Sequence, residues 1–205
     1  DLKKWFLMKK LIGLKKINTA IFISGKGSNF KNLYKFSKLK ISPINICFVV
    51  SNNPNAKGLL FAKRKKIEKK IYNFKKDKKC EKKILNDLKK KKINFICLAG
   101  FMKILSKGFI KRFNGKIINI HPSLLPKYKG LMDLDIHEAV IKNNDLYTGC
   151  TLHVVDEVVD NGEIILQKKL EVVTKDKYEL KKDIQSLEND CIYECVKLIE
   201  NNLIK

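Results

Sequence analysis

The chain has 205 residues, of which 44% are hydrophobic and 9% aromatic, which suits one domain with a substantial core and marks a folding chain rather than a disordered one. Its longest apolar runs, Ile46–Val50 and Phe95–Ala99, fall far short of a membrane span, so a soluble, cytoplasmic chain is expected. The formal net charge of +23 invites a nucleic-acid function, but the lysines are scattered and Arg64 and Arg112 are the only arginines to read phosphate or guanine in bidentate fashion. An excess of this kind also recruits small anionic substrates.

Residues 1–16 read as a peripheral basic extension, and Met8 is an alternative start. From there, β-rich apolar runs alternate with helical patterns, as in a parallel sheet with crossover helices. Thr19–Ser24 is the first expected strand, followed by a helix over Ser28–Lys38 and a strand over Ile46–Ser51. Lys57–Lys69 reads as helical and Ile71–Phe74 as a short strand. Cys80, Ile84, Leu85 and Leu88 make one helical stripe with lysines on the wet face. Ile93–Ala99 suits a central strand buried on both faces, and Lys116–Ile120 runs as a strand directly into His121-Pro122. A helix is expected over Leu134–Lys142, then two strands over Thr148–Val155 and Glu163–Val173 joined by an acidic turn. The last helix carries Leu180, Ile184, Leu187, Cys191 and Leu198 on one stripe, with Asp176 and Glu179 spaced as a capping box. The sum is one doubly wound α/β domain over residues 17–205, mostly parallel, with an antiparallel C-terminal strand pair and a long C-terminal helix.

Six cysteines show no CxxC and no paired spacing, which suits a reduced protein; Cys191 and Cys195 share a helical face and read as packing residues. No cluster of histidine, cysteine and carboxylate has metal-ligand spacing, so a metal-free site is expected.

In an open α/β sheet ligands bind beyond the carboxyl ends of the strands, where Ser24–Asn29, Gly100–Leu105 and Asn119–Gly130 fall. Ser24-Gly25-Lys26-Gly27-Ser28-Asn29 follows a strand and opens a helix, so its N–H groups can face an anion. It lacks the third glycine of a dinucleotide loop and the GK[ST] of a P-loop, so the segment by itself reads either as a site for a single phosphate or as a plain tight strand–helix turn. Asn119 and His121 are two apart on a strand and project from the same face. An amide donor beside an imidazole is what acyl or formyl transfer needs, one to stabilise an oxyanion and one to move protons. A carboxylate from Asp156, Glu157 or Asp160 would orient that imidazole, and spacing alone leaves the choice among the three open. His153 alternates with apolar neighbours and reads as structural; His137 lies on a helix, packing or meeting solvent.

Four segments together, Ile23–Asn29, Leu98–Leu105, Asn119–Tyr128 with Gly130, and Asp160-Asn161-Gly162, resemble the phosphoribosylglycinamide formyltransferase family in order and spacing. The resemblance implies transfer of a formyl group from 10-formyltetrahydrofolate to glycinamide ribonucleotide in purine synthesis. It implies that Gly27, Ser28 and Asn29 hold the substrate phosphate and that Glu188 meets its ribose. Met102, Lys103, Ile104, Leu105 and Asn119 would line the folate pocket, and Asn119, His121 and Asp160 would be the catalytic trio. Two departures stand out. Asn161 replaces the usual glycine or threonine, and Asp77 stands at the ungapped position of an arginine expected at the folate tail, flanked by Lys76 and Lys78. The partners implied are small molecules, with no specific nucleic acid and no membrane, in a monomer or homodimer. Methionyl-tRNA formyltransferase usually continues its loop as Arg-Trp-Arg-Gly where this chain has Lys127-Tyr128-Lys129-Gly130. Formyltetrahydrofolate deformylase normally has an N-terminal regulatory domain, and a basic nucleic-acid-binding module is the non-enzyme alternative.

Overall fold

The computed structural model describes residues 16–40, 42–74, 77 and 79–200. The N-terminal extension up to residue 15, Lys76 and Lys78, and the side chains at Cys195 and Leu198 lie outside what is described.

Seven strands form one sheet among the described residues, in the order β3-β2-β1-β4-β5-β6-β7. They are β1 (Ile17–Ile23), β2 (Ile44–Ser51), β3 (Glu68–Ile71), β4 (Phe95–Leu98), β5 (Lys116–His121), β6 (Tyr147–Val154) and β7 (Ile164–Glu171). Strands β1 to β5 pair in parallel, whereas β6 runs antiparallel to β5 and β7 antiparallel to β6. The helices are α1 (Ser28–Ser37), α2 (Lys57–Arg64), α3 (Cys80–Lys90), α4 (Lys107–Arg112), α5 (Leu134–Lys142) and α6 (Lys177–Glu200).

The two-residue period of β1 sorts the core into two layers. Ile21 and Ile23 face one layer with Phe30 and Leu33 of α1 and Ala62 of α2, while Ala20 and Phe22 face the other with Ile84 and Leu88 of α3 and Phe109 of α4. A smaller cluster of Ile136, Val140 and Leu180 joins α5 to α6. Helices on both faces are what a sheet of near-continuous Val, Ile, Leu and Phe requires.

Several expectations need correcting. The helix expected over Lys57–Lys69 stops at Arg64, and the strand after it begins at Glu68 rather than Ile71. Lys66 takes a left-handed turn (φ 56°) without glycine or asparagine, so the sequence carries no stop signal there. The segment Glu68–Ile71 is exposed and its lysines do not favour a strand; pairing with Phe48–Ser51 at the sheet edge decides its state. Helix α4 was not expected at all, although Ser106 caps it by accepting the Phe109 N–H at 3.0 Å. Asp176 caps α6 through the N–H groups of Tyr178 (2.6 Å) and Glu179 (3.1 Å). The Glu179 carboxylate accepts from the Thr174 hydroxyl instead of closing a box on Asp176.

Candidate functional site

The strand order reverses at β1, which lies between β2 and β4, and ligands of open α/β sheets bind where that crevice opens. A cleft of about 430 Å³ opens there, walled by the loops after β1, β4 and β5 and closed by α6 and the turn between β6 and β7. Every residue singled out above for catalysis, substrate or folate lines it.

The loop after β1 turns into α1 at Gly27, whose φ of 70° is left-handed and whose Cβ would approach Gly58 Cα to 3.1 Å. No side chain caps α1 and its first turn holds no acid, so its leading N–H groups are left facing the cleft. Asn29, buried in that first turn, donates Nδ2–H to Glu188 Oε2 of α6 at 3.1 Å, and its Oδ1 is buried without a partner.

Asn119 and His121 leave β5 on one face, and the β6–β7 turn brings Asp160 to them. Asp160 Oδ2 lies 3.5 Å from His121 Nδ1, and Oδ1 lies 3.6 Å from His153 Nε2. Asp160 adopts a left-handed φ of 52°, which aspartate tolerates, and accepts the Gly130 N–H at 2.9 Å. Of its rivals, Asp156 accepts the Val158 N–H of its own turn at 2.8 Å, and Glu157 pairs with Lys111 at 3.2 Å. The other His121 nitrogen, Nε2, sits 3.3 Å from the Tyr128 carbonyl. Both partners of the imidazole are therefore acceptors, and only a doubly protonated ring satisfies both. Burial opposes that charge and, against the pull of Asp160, holds the His121 pKa below its ordinary value.

His153 is better described as an orienting residue than as a packing one. Its Nδ1 lies 2.9 Å from the Val154 carbonyl, which places the proton there and leaves Nε2 to accept from Asn119 Nδ2 at 3.2 Å. Burial lowers its pKa and keeps it neutral in this role. The Asn119 amide is thereby fixed.

On the far side of the cleft, Ser24 ties the two loops together, since its Oγ accepts the Met102 N–H at 2.7 Å. Met102 and Ile104 present exposed apolar surface, as do Val158 and Val159 opposite, while Leu105 turns inward against the core. An apolar rim of this kind fits a flat heteroaromatic ring. Asp77, at the position of the missing arginine, caps Lys79 and pairs with Lys83 at 2.6 Å.

Sequence reading missed three cleft residues. His137 is buried, not solvated, with Nδ1 unpartnered and its pKa pushed down to about 4 by burial and by Lys181. Asp133 and Lys181 form an ion pair between the start of α5 and α6, with no local sequence signal. Outside the cleft, Cys191 meets Cys150 of β6 sulfur to sulfur at 2.9 Å, both thiols free and buried.

Burial raises the Glu188 carboxyl from 4.5 to about 7, against the Asn29 amide, which lowers it. A carboxyl whose folded pKa exceeds its unfolded value favours the fold when protonated, so this stability is lost as pH climbs from about 4.5 through about 7. Glu188→Gln should flatten that slope and gain at most about 3 kcal/mol at pH 8. Urea midpoints measured from pH 5 to 8 check it; an unchanged slope would refute the burial argument.

A profile described as formyl transferase matches residues 17–196. Phosphoribosylglycinamide formyltransferase of Haemophilus influenzae is 39% identical over 169 residues, covering 81% of this chain and 77% of that protein. The chain belongs to the phosphoribosylglycinamide formyltransferase family. The solved structure of the Anaplasma phagocytophilum member superposes with a TM-score of 0.85 at 38% identity, covering 93% of this chain and 90% of that one. The trifunctional purine biosynthetic protein adenosine-3 of Gallus gallus is 35% identical over 194 residues, and the chain spans 19% of its length. Family membership implies formyl transfer with a folate-type cosubstrate. Among the described residues, no group of three or more His, Cys, Asp and Glu is placed to hold a metal ion, and no helix is long and apolar enough to cross a membrane.

Proposed function

We propose that this chain transfers the formyl group of 10-formyltetrahydrofolate to the amine of glycinamide ribonucleotide, giving the N-formyl product and tetrahydrofolate in purine synthesis. One observation carries the reading: Asn119, His121 and Asp160 converge in the same cleft as the uncapped N-terminus of α1. A phosphate at Gly27, Ser28 and Asn29, with the ribose at Glu188, directs the rest of the nucleotide toward the trio. The apolar rim at Met102 and Ile104, with Lys103 and Leu105 beside it, receives the folate ring.

In this reading the amine attacks the formyl carbon, and the Asn119 amide, oriented by His153, donates to the oxyanion that develops. His121 takes up the proton that the attacking amine loses, its cationic form held by Asp160 and opposing the charge on that oxygen, and then hands the proton on. The proton lost by the amine ends on the departing folate nitrogen. Residues 17–205 act as one catalytic domain, cytoplasmic, on small-molecule substrates and as a monomer or homodimer.

The test compares three acceptors with one formyl donor: glycinamide ribonucleotide, methionyl-tRNA and water. Formylation of the ribonucleotide alone is expected. Transfer to methionyl-tRNA, or donor hydrolysis without transfer, would assign the site to a relative's reaction. Steeply salt-dependent binding of DNA or RNA with no transfer would favour the basic surface over the cleft.

A further inference from the structure

The loop Pro122–Gly130 touches the catalytic residues at two points. The Tyr128 carbonyl meets His121 Nε2 at 3.3 Å, and the Gly130 N–H donates to Asp160 at 2.9 Å. Neither contact is held by local chain preference. Tyr128 sits in the left-handed region with φ 63°, which a residue with a bulky side chain keeps only when its surroundings over-determine it.

What over-determines it is Asp145, in the link between α5 and β6. Its Oδ2 accepts the Tyr128 hydroxyl at 2.8 Å, and its Oδ1 pairs with Lys127 at 2.7 Å. The phenol oxygen also accepts from Asn143 Nδ2 at 2.9 Å, so the side chain is held from two sides. The Asp145 side chain is only 10% exposed whereas Lys127 is 62% exposed, so the ion pair is a screened surface one and the bond to the Tyr128 hydroxyl is the firmer mooring. Asp145 itself is fixed by its N–H to the Val140 carbonyl at 3.1 Å, at the end of a helix whose Val140 is fully buried.

We propose that Asp145 is a positioning residue for formyl transfer: by mooring Tyr128 and Lys127 it sets the carbonyl and the N–H that hold His121 and Asp160 in place. It lines no part of the cleft and touches no reacting atom. The proposal rests on His121 being the reacting imidazole. A misplacement of about 1 Å in such a group costs on the order of 10²-fold in rate.

Asp145→Ala should therefore lower kcat by roughly tenfold to a hundredfold, with both KM values within about threefold of wild type. Asp145→Asn retains an acceptor for the Tyr128 hydroxyl and should recover most of kcat. Tyr128→Phe removes the same link by a single oxygen, and keeps the test alive if Asp145→Ala fails to fold. The double variant should lose no more than Asp145→Ala alone, because both changes cut one connection. His121 ring-nitrogen shifts by NMR, which need no acceptor, should move in Asp145→Ala and Tyr128→Phe and return in Asp145→Asn. Folded Asp145→Ala with wild-type kcat and unmoved His121 signals overturns the proposal, as does a fall confined to thermal stability. If the ring signals move as expected while the wild type formylates no ribonucleotide, the positioning role stands and the acceptor assignment falls.

Discussion

Replacing His121 by alanine should lower kcat by about 10²–10⁴-fold, the usual range for a positioned acid or base, and leave the affinity for glycinamide ribonucleotide within a few fold. The separation follows from the layout. The imidazole lies at the end of β5 with a carboxylate on one nitrogen and the Tyr128 carbonyl on the other. The anion-ready turn lies after β1, separated from it in the sheet by β4. The variant removes a group whose interaction strengthens only as charge develops, so the loss falls on kcat rather than on binding. Steady-state kinetics with binding calorimetry for the nucleotide checks it. Near-normal kcat in His121→Ala would remove the imidazole from the mechanism, and a parallel loss of nucleotide affinity would make it a binding residue instead.

Replacing Asp160 by asparagine should have the second largest effect, a fall in kcat of about 10²-fold or more, with a predictable change in the pH profile. The Asp160 carboxylate is the main influence raising the His121 pKa against burial. Without that charge, burial is opposed only by the Tyr128 carbonyl, the imidazolium is harder still to form, and the limb of the kcat profile governed by His121 moves to lower pH. The sign is informative. A limb that stayed in place would mean Asp160 orients the ring without charging it, and a limb moving to higher pH would contradict the geometry. The change also disturbs the Gly130 N–H contact, so Asp160→Asn tests the carboxylate as charge and as acceptor together. Asp156→Asn serves as the comparison, since Asp156 caps its own turn and should leave kcat within about threefold.

The parts of this protein that could be read from its residues are those where one local period or one local turn decides the outcome. The apolar runs of β1, β2, β4 and β5 have no other stable use than a buried parallel sheet. Gly25, Gly27 and Ser28 announce a strand turning into a helix, and Asn119 and His121 share a face through the two-residue period of a strand. The misreadings fall where a neighbour decides. Strand β3 is exposed and lysine-rich, and exists because β2 has an edge to pair with. Helix α4 is too short for a periodic signal to emerge, and Phe109 packs it onto Phe22.

The site divides along the same line. Sequence alone determined a doubly wound sheet, an anion-ready turn and a polar pair at a strand end, because each depends on residues within a few positions of one another. Spacing left the acid open and the family resemblance named Asp160. Tertiary structure brought it to the imidazole and left Asp156 and Glu157 to their own partners, because a turn joining two antiparallel strands can present any of its acids until the sheet beneath it is built. It also gave His153 the task of aiming Asn119, and linked Asp145 to His121 through Tyr128, across contacts 34 and 17 residues apart that no local pattern encodes.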